Sequence, residues 1–492
     1  MIKLALPGGS LRGEVAASLL KAGLPVEEYS QGSRSYRFQE RGLLFRVFRE
    51  PDIPIQVALG NYDLGLCRPA WVEELLWRYP GHEVVRLGSL GIGGEGLFVA
   101  AAPQSPLADG GLEALAGYRG LRIASEYPNL ADAFALSARL PAYRIFPVWG
   151  AAEVYPPEDA DLALVAAADE AGVEALGLVP LLRLFSGSCC LIAHRHSLRE
   201  KDLGALLGSL LRVGSDYDGD GLTPPGPLPR QPGPLKSLPI DREEGLVRLA
   251  LPDGHQQPHA MAALESAGLA PAGYGADGPR RLSGPLPYLQ AKVIRPQDMP
   301  QHVALGSFDL AITGRDWLLE HLYQFPQSPA VEAADLGRGR YRLAAVASEE
   351  IPADTIDDAL AVWRSRPQPL RLASEYAHIA DHYARRHHLG HYEVIPISGA
   401  SEGFVPEDAD LLIEGAETGK TIVANRLKVI DTLFESTTCL IANREALVGP
   451  RGNALRGLIE GLKRAAPVAA SQCAAAPPSR PAAGPSGASQ GA

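Results

Sequence analysis

The chain repeats itself, and that limits what it can fold into. LALPGGS (Leu4 to Ser10) returns as LALPDGH (Leu249 to His255), and REPDIPIQVALGNYDLGL (Arg49 to Leu66) aligns without gaps to RPQDMPQHVALGSFDLAI (Arg295 to Ile312). RIASEYPNLAD (Arg122 to Asp132) matches RLASEYAHIAD (Arg371 to Asp381), VYPPEDADLAL (Val154 to Leu164) matches FVPEDADLLI (Phe404 to Ile413), and SGSCCLIAHR (Ser186 to Arg195) matches ESTTCLIANR (Glu435 to Arg444). The order is preserved and the offset stays near 246 residues. Agreement at five places in register means tandem duplication. The expected units are a first copy over 1–212, a linker over 213–244, a second copy over 245–464 and a tail over 465–492.

The linker contains DGDGLTPPGPLPRQPGPLKSLP (Asp218 to Pro239), whose prolines lack N–H groups and fix φ, so an extended path is expected. The tail is Ala, Pro, Ser and Gly with almost no charge or aromatic content, and is expected to remain disordered. Hydrophobic residues are 46% of the chain, charged residues 21%, and the net charge is −11 without long runs. That excludes a nucleic-acid binder with a basic face, but not a local arginine cluster for a small anion. None of Cys67, Cys189, Cys190, Cys439 and Cys473 forms a CxxC pair, which disfavours a zinc or redox motif and fits a reducing compartment. No secretion signal or membrane-length apolar run of roughly 18 residues is read, so a cytoplasmic location without membrane contact is expected.

Within each copy, short apolar runs such as Ile2 to Leu6, Val84 to Leu87, Leu97 to Ala101, Leu121 to Ala124 and Leu162 to Val165 alternate with helical spacing at Leu112 to Leu115 and Leu130 to Leu136. This predicts α/β layers with mostly parallel sheets, two small lobes per copy and a cleft between them. The most informative segment is DADLLIEGAETGKTIVANRL (Asp408 to Leu427). It reads as a strand, a polar loop Glu414 to Lys420, and a helix from Thr421. Such a loop offers backbone N–H groups to a phosphate, while Gly415 and Gly419 let the backbone approach it closely. Thr418 and Thr421 offer hydroxyls and Lys420 a cation. Glu414 and Glu417 suit ribose hydroxyls or the shell of a magnesium ion. The plainer alternative is a helix start capped by Thr418. The spacing differs from a Walker A loop.

The ordered set LALP, RPQDMP, VALGSFDLAITGRDWLLE, DLGRGRYRL, ASEY and ADLLIEGAETGKTIVANRL resembles the catalytic region of ATP phosphoribosyltransferases. The resemblance implies two tandem copies of a two-lobed, periplasmic-binding-protein-like (type II) α/β fold. It also implies transfer of phosphoribose from phosphoribosyl pyrophosphate to N1 of ATP, with Mg²⁺ as cofactor, at the first step of histidine biosynthesis. The segment Glu414, Glu417, Thr418, Gly419, Lys420 and Thr421 would hold the 5′-phosphate and ribose of phosphoribosyl pyrophosphate. Arg295 and Arg340 stand in motifs that imply a catalytic part against the leaving pyrophosphate; Asp298 and Asp309 read as structural. The cleft is expected to be basic, drawing on Arg280, Arg281, Arg315, Arg338 and Arg342 as well. The family also implies either a homo-oligomer or a regulatory subunit resembling histidyl-tRNA synthetase.

Both copies depart from the pattern. The family's basic pair after the first strand is replaced by Asp253 and His255, and the first copy lacks it too. The first copy's counterpart of the phosphate loop, VAAADEAGVEALGL (Val165 to Leu178), puts Asp169, Glu170, Ala171 and Gly172 where the second has Thr418, Gly419, Lys420 and Thr421. Carboxylates there would repel a phosphate. The first copy retains GSRSYR (Gly32 to Arg37), where the second has GPRRLS. The losses are complementary, so one composite site per chain is expected, with nucleotide contacts from Arg34, Arg37 and Arg280. A non-catalytic regulatory paralogue is the alternative. A solute-binding protein would need export.

Overall fold

The computed structural model describes residues 1–24, 26–30, 32–81, 83–214, 224–229, 233–238, 245–417 and 419–467. The first copy contains strands β1 (Ile2–Pro7), β2 (Arg37–Glu40), β3 (Leu43–Phe48), β4 (Leu64–Cys67), β5 (Val84–Ser89), β6 (Glu95–Ala101), β7 (Leu121–Ser125), β8 (Tyr143–Pro147), β9 (Leu162–Ala167), β10 (Val179–Gly187) and β11 (Cys190–His194). The second contains β12 (Val247–Pro252), β13 (Arg281–Ser283), β14 (Leu289–Ile294), β15 (Leu310–Gly314), β16 (Ala330–Ser348), β17 (Leu370–Ser374), β18 (Tyr392–Pro396), β19 (Leu411–Ala416) and β20 (Leu427–Asn443). The first copy's lobes are sheets ordered β2-β3-β1-β4-β11-β5 and β10-β6-β9-β7-β8. Setting aside the edge strand β2, both lobes run second–first–third–returning–fourth, the order of the type II binding-protein fold. In the second copy β16 and β20 run through both lobes and fuse them into one nine-stranded sheet.

The expectation of mostly parallel sheets needs correction. β1 pairs in parallel with β3 and β4, and β7 with β8 and β9, but β11 lies antiparallel between β4 and β5, and β6 lies antiparallel between β9 and β10. A strand that returns from the other lobe must enter antiparallel.

The repeated LAL motif explains how the copies pack. Successive residues of a strand face opposite ways. Leu4 and Leu6 join the core of their own lobe, while Ala5, on the other face, joins a core shared with Phe404, Val405 and Leu412 of the second copy. Leu249 and Leu251 again face their own helices, and Ala250 joins a core with Val154, Tyr155 and Phe98 of the first copy. The first lobe of each copy therefore packs against the second lobe of the other, about an internal two-fold. Small residues at positions 5 and 250 permit the close approach. The rings of Phe48 and Phe404 meet edge-on at 4.8 Å.

Charges cross the same seam. The EDAD motif sends its first two carboxylates to the opposite copy: Glu158 pairs with Arg281 at 2.8 Å and Lys292 at 2.9 Å, and Asp159 pairs with Lys292 at 2.8 Å. Symmetrically, Glu407 pairs with Arg37 at 2.7 Å and with the buried Arg46, while Tyr62 donates to Asp408 at 2.7 Å. The third carboxylate ties its own lobe, Asp161 to Arg122 and Asp410 to Arg371. Asp298 accepts the backbone N–H of Trp149 and Asp52 that of Ser398, each at 3.0 Å. Asp298 and Asp309 are structural as expected, but they act by accepting backbone N–H groups from elsewhere, with Arg248 N donating to Asp309 at 2.9 Å.

Helices Gly204–Leu211 and Gly452–Ala465 close the copies. The described part of the linker lies along the first copy's second lobe, with Lys236 N–H donating to Gly117 at 2.9 Å. The rest of the linker, and the tail from residue 468, lie outside the described residues.

Two predictions follow from the seam. Lys292→Ala removes the buried cation shared by Glu158 and Asp159 and leaves buried Asp159 only its longer contact with Arg248 at 3.4 Å, which should cost about 3–5 kcal/mol in denaturant unfolding. Burial pushes the carboxyl of Asp298 up to about 8 and that of Asp52 up to about 7. Carboxyls raised in the folded chain bind protons that the unfolded chain releases, so their stabilisation is complete below the unfolded value and is lost as pH rises towards 8. The melting temperature should fall between pH 5 and 9, and Asp52→Asn with Asp298→Asn should flatten that fall.

Candidate functional site

The main cleft has a volume of about 720 Å³ and is built by both copies. The second copy lines it with the turns after β12, β14 and β19, and with Trp317, Tyr341, Glu375 and Tyr376; the first copy adds Arg34, Tyr36, Arg49 and Trp149. The loop singled out in the sequence stands at this cleft: Glu414, Glu417, Gly419, Lys420 and Thr421 all line it. Thr418 lies outside the described residues. The helix after the loop is one short turn, Lys420–Ala424, and its cap is Gly419 rather than Thr418. Gly419 has φ +68°, a left-handed conformation that glycine adopts at little cost.

Asn425 joins the copies beside this loop. Its Nδ2 donates to the Thr421 carbonyl at 2.9 Å and the Arg34 carbonyl at 3.0 Å, and its Oδ1 accepts the Tyr36 N–H at 2.9 Å. One amide side chain thus fixes Ser33–Tyr36 of the first copy against the loop helix of the second. On the other side of the cleft, His255 meets Glu417 at 3.0 Å.

The cleft is less basic than expected. Arg34, Arg49, Arg295 and Lys420 share it with Asp253, Glu375, Glu402, Glu414 and Glu417. Burial, then the neighbouring Glu375 and Glu402, pushes the Glu414 carboxyl up to about 8. Burial pushes Glu375 up to about 7, opposed by Arg49, and burial also raises Glu402. Arg49 is the cation that the first copy extends towards these carboxylates. Glu414 accepts from Ser401 Oγ and from Gly415 N–H at 3.0 Å. Among the described residues no group of three or more His, Cys, Asp or Glu side chains is placed to hold a metal ion.

Other predicted arginines go elsewhere. Arg37 does not line the cleft, because Glu407 takes its guanidinium into the seam. Arg280 is held by Glu153 and Asp253, each at 3.1 Å, and Arg340 pairs with Glu435 at 2.8 Å on an exposed stretch of β16. Arg295 lines the cleft, pairs with Asp253 at 3.1 Å, and reaches towards Gly150 of the first copy. Arg281 and Arg315 are bound in ion pairs, and Arg338 bonds Ser266 Oγ at 2.8 Å.

Strand register shows what the first copy has lost. Val165 stands opposite Phe98 as Glu414 stands opposite Ala344, so Val165 replaces Glu414 and Phe98 replaces Ala344. Continuing that register, Ile92, Gly94 and Gly96 replace Arg338, Arg340 and Arg342. Asp169 caps its own helix by accepting the Gly172 N–H at 2.8 Å, so the donor a phosphate would use is already taken by a carboxylate. Arg68, where the second copy has Gly314, pairs with Glu50 of its own lobe and at 3.0 Å with Glu95 of the other. This half-buried triad ties the first copy's lobes together. In the second copy the Asp316 carboxylate and the Gln256 amide take the space that a side chain on Gly314 would need.

Sequence reasoning missed Arg49, Tyr36, Trp149, Glu375, Glu402 and Asn425. Arg49 could have been found, since it aligns with Arg295 inside the repeat.

Known proteins place these features in a family. The model of the ATP phosphoribosyltransferase (HisG) family matches residues 49–212 and 295–464. The ATP phosphoribosyltransferase of Chlorobium chlorochromatii is 34% identical over 168 residues, 33% of this chain and 52% of that protein. That of Sorangium cellulosum is 34% identical over 174 residues, 35% of this chain and 72% of that protein. The chain spans about half the length of most of these curated relatives. The ATP phosphoribosyl transferase (HisG:HisZ) complex from Thermotoga maritima is similar at 20% identity, covering 45% of this chain and 98% of that one with a TM-score of 0.36. The alkanesulfonate-binding protein SsuA from Xanthomonas axonopodis pv. citri is similar at 10% identity, covering 46% and 74% with a TM-score of 0.29. With the family matched in both halves, the chain belongs to the ATP phosphoribosyltransferase family and carries its unit twice.

Proposed function

We propose that the chain transfers phosphoribose from phosphoribosyl pyrophosphate to N1 of ATP, releasing pyrophosphate, at the cleft of the second copy. The supporting observation is the asymmetry of the loop. The second copy keeps a glycine-capped turn with Lys420 and Thr421 lining the cleft, whereas the first has Ala171 and Gly172 there, with Asp169 capping its own helix beside them. On this reading the loop from Glu414 to Thr421, Thr418 included, holds the 5′-phosphate and ribose. Arg49 and Arg34 come from the first copy, and Arg295 from the second, to oppose the charge that builds on the departing pyrophosphate. Mg²⁺ would be held mainly by the substrate's phosphates, as suits an ion that keeps its waters. It would supply charge neutralisation of the leaving group. The raised carboxyls of Glu375 and Glu414 lose their protons as pH climbs towards 8, leaving more anionic charge in a cleft meant for polyphosphates. Phosphoribosyl pyrophosphate binding should therefore weaken with rising pH.

A regulatory, non-catalytic paralogue is the second reading. Its specific support is Asp253, an anion where the family pattern has a cation, which occupies Arg280 and Arg295.

The test is an ultraviolet absorbance assay for phosphoribosyl-ATP with ATP, phosphoribosyl pyrophosphate, Mg²⁺ and a pyrophosphatase. Thr421→Ala should lower kcat/KM roughly 10- to 100-fold, the range for a hydrogen bond to a charged group. Arg49→Ala, in the other copy, should do at least as much, while Glu170→Ala should change little. No turnover by the natural chain, with ATP still bound, would favour the regulatory reading.

A further inference from the structure

The internal two-fold gives each cleft the same set of positions from the opposite copy, so a pair held by the same backbone contact can differ without cost to the fold. One pair differs sharply. Trp149 and Ser398 occupy equivalent turns, and each backbone N–H is held by an equivalent buried aspartate, Asp298 for Trp149 and Asp52 for Ser398. The same backbone bond holds the turn under either side chain, and serine adds a hydroxyl bond to Asp52 at 3.1 Å. The indole of Trp149 is nevertheless 42% exposed, and it lines the second copy's cleft.

Its surroundings suit a planar guest. Trp317 and Tyr376 lie on one another with ring centres 4.3 Å apart, so they are committed to each other. Trp149 lies against the outer part of that pair, 6.1 Å from Trp317 and inclined at 55°, which leaves much of its face to the cleft. A large apolar surface held rigidly in a polar cleft gains free energy when an aromatic base covers it. We propose that Trp149, donated by the first copy, is the stacking platform for the nucleobase in the second copy's cleft. It takes over recognition that Asp253 and His255 no longer provide as cations. This inference rests on the ATP-dependent function proposed above.

The experiment is calorimetric titration of the full chain with ATP and, separately, with inorganic tripolyphosphate, which has the phosphates but no base. Trp149→Ser copies the residue that the fold already accepts at the equivalent turn, so folding should survive, and Trp149→Phe keeps a smaller aromatic face. Trp149→Ser should weaken ATP roughly 10-fold and leave tripolyphosphate unchanged, with Trp149→Phe in between. Unchanged ATP affinity in Trp149→Ser, or an equal loss for tripolyphosphate, would overturn the platform while leaving the proposed function standing. Failure of the natural chain to bind ATP at all would instead overturn both.

Discussion

The structure depends on the seam where each copy's first lobe meets the other copy's second lobe. Taking charges out of water costs several kcal/mol per ion, and only good pairing offsets that cost. Lys292 and Arg46 are nearly or wholly buried there, and each is matched by carboxylates of the EDAD motif from the opposite copy. The pairing is specific in direction: it fixes which lobes meet, and so carries Arg34, Tyr36, Arg49 and Trp149 of the first copy into the second copy's cleft. Without the seam the second copy would hold its loop but not the groups that face it.

Duplication in one chain frees the two clefts to diverge. Arg68 with Glu50 and Glu95 braces one copy across its lobes, and Phe98 and Val165 extend the apolar core into space that Ala344 and Glu414 leave open in the other. A braced copy makes a firm platform for the side chains it lends. The second copy ties its lobes through other pairs: Tyr376 donates to Asp316 at 2.7 Å, and Glu320 accepts the His378 N–H at 2.9 Å.

The strands and lobes were legible in the sequence because their signals are local: apolar runs, helical spacing and a repeat that keeps its register. The loop from Glu414 to Thr421 was legible for the same reason. The exchange of lobes was not, since Ala5 and Ala250 read simply as strand residues until their partners are known. Arginine is where local reading fails most. Arg37 sits in a basic, aromatic segment that suggests a ligand, yet Glu407, 370 residues away, takes it into the seam. Arg340 sits in a family motif and finds Glu435 on the neighbouring strand. Arg49 reaches the cleft as its repeat counterpart Arg295 does, so the signal for it lay in the repeat rather than in its own surroundings. Glu375 and Glu402 belong to segments whose helical and turn signals hide their side chains' direction.

The decisive quantity is the number of phosphoribosyl pyrophosphate molecules bound per chain, measured by equilibrium titration of the full protein in Mg²⁺. One site per chain is predicted, because Asp169 already occupies the first copy's donor and Arg68 braces its cleft. Two equivalent sites per chain would contradict the division of labour between the copies.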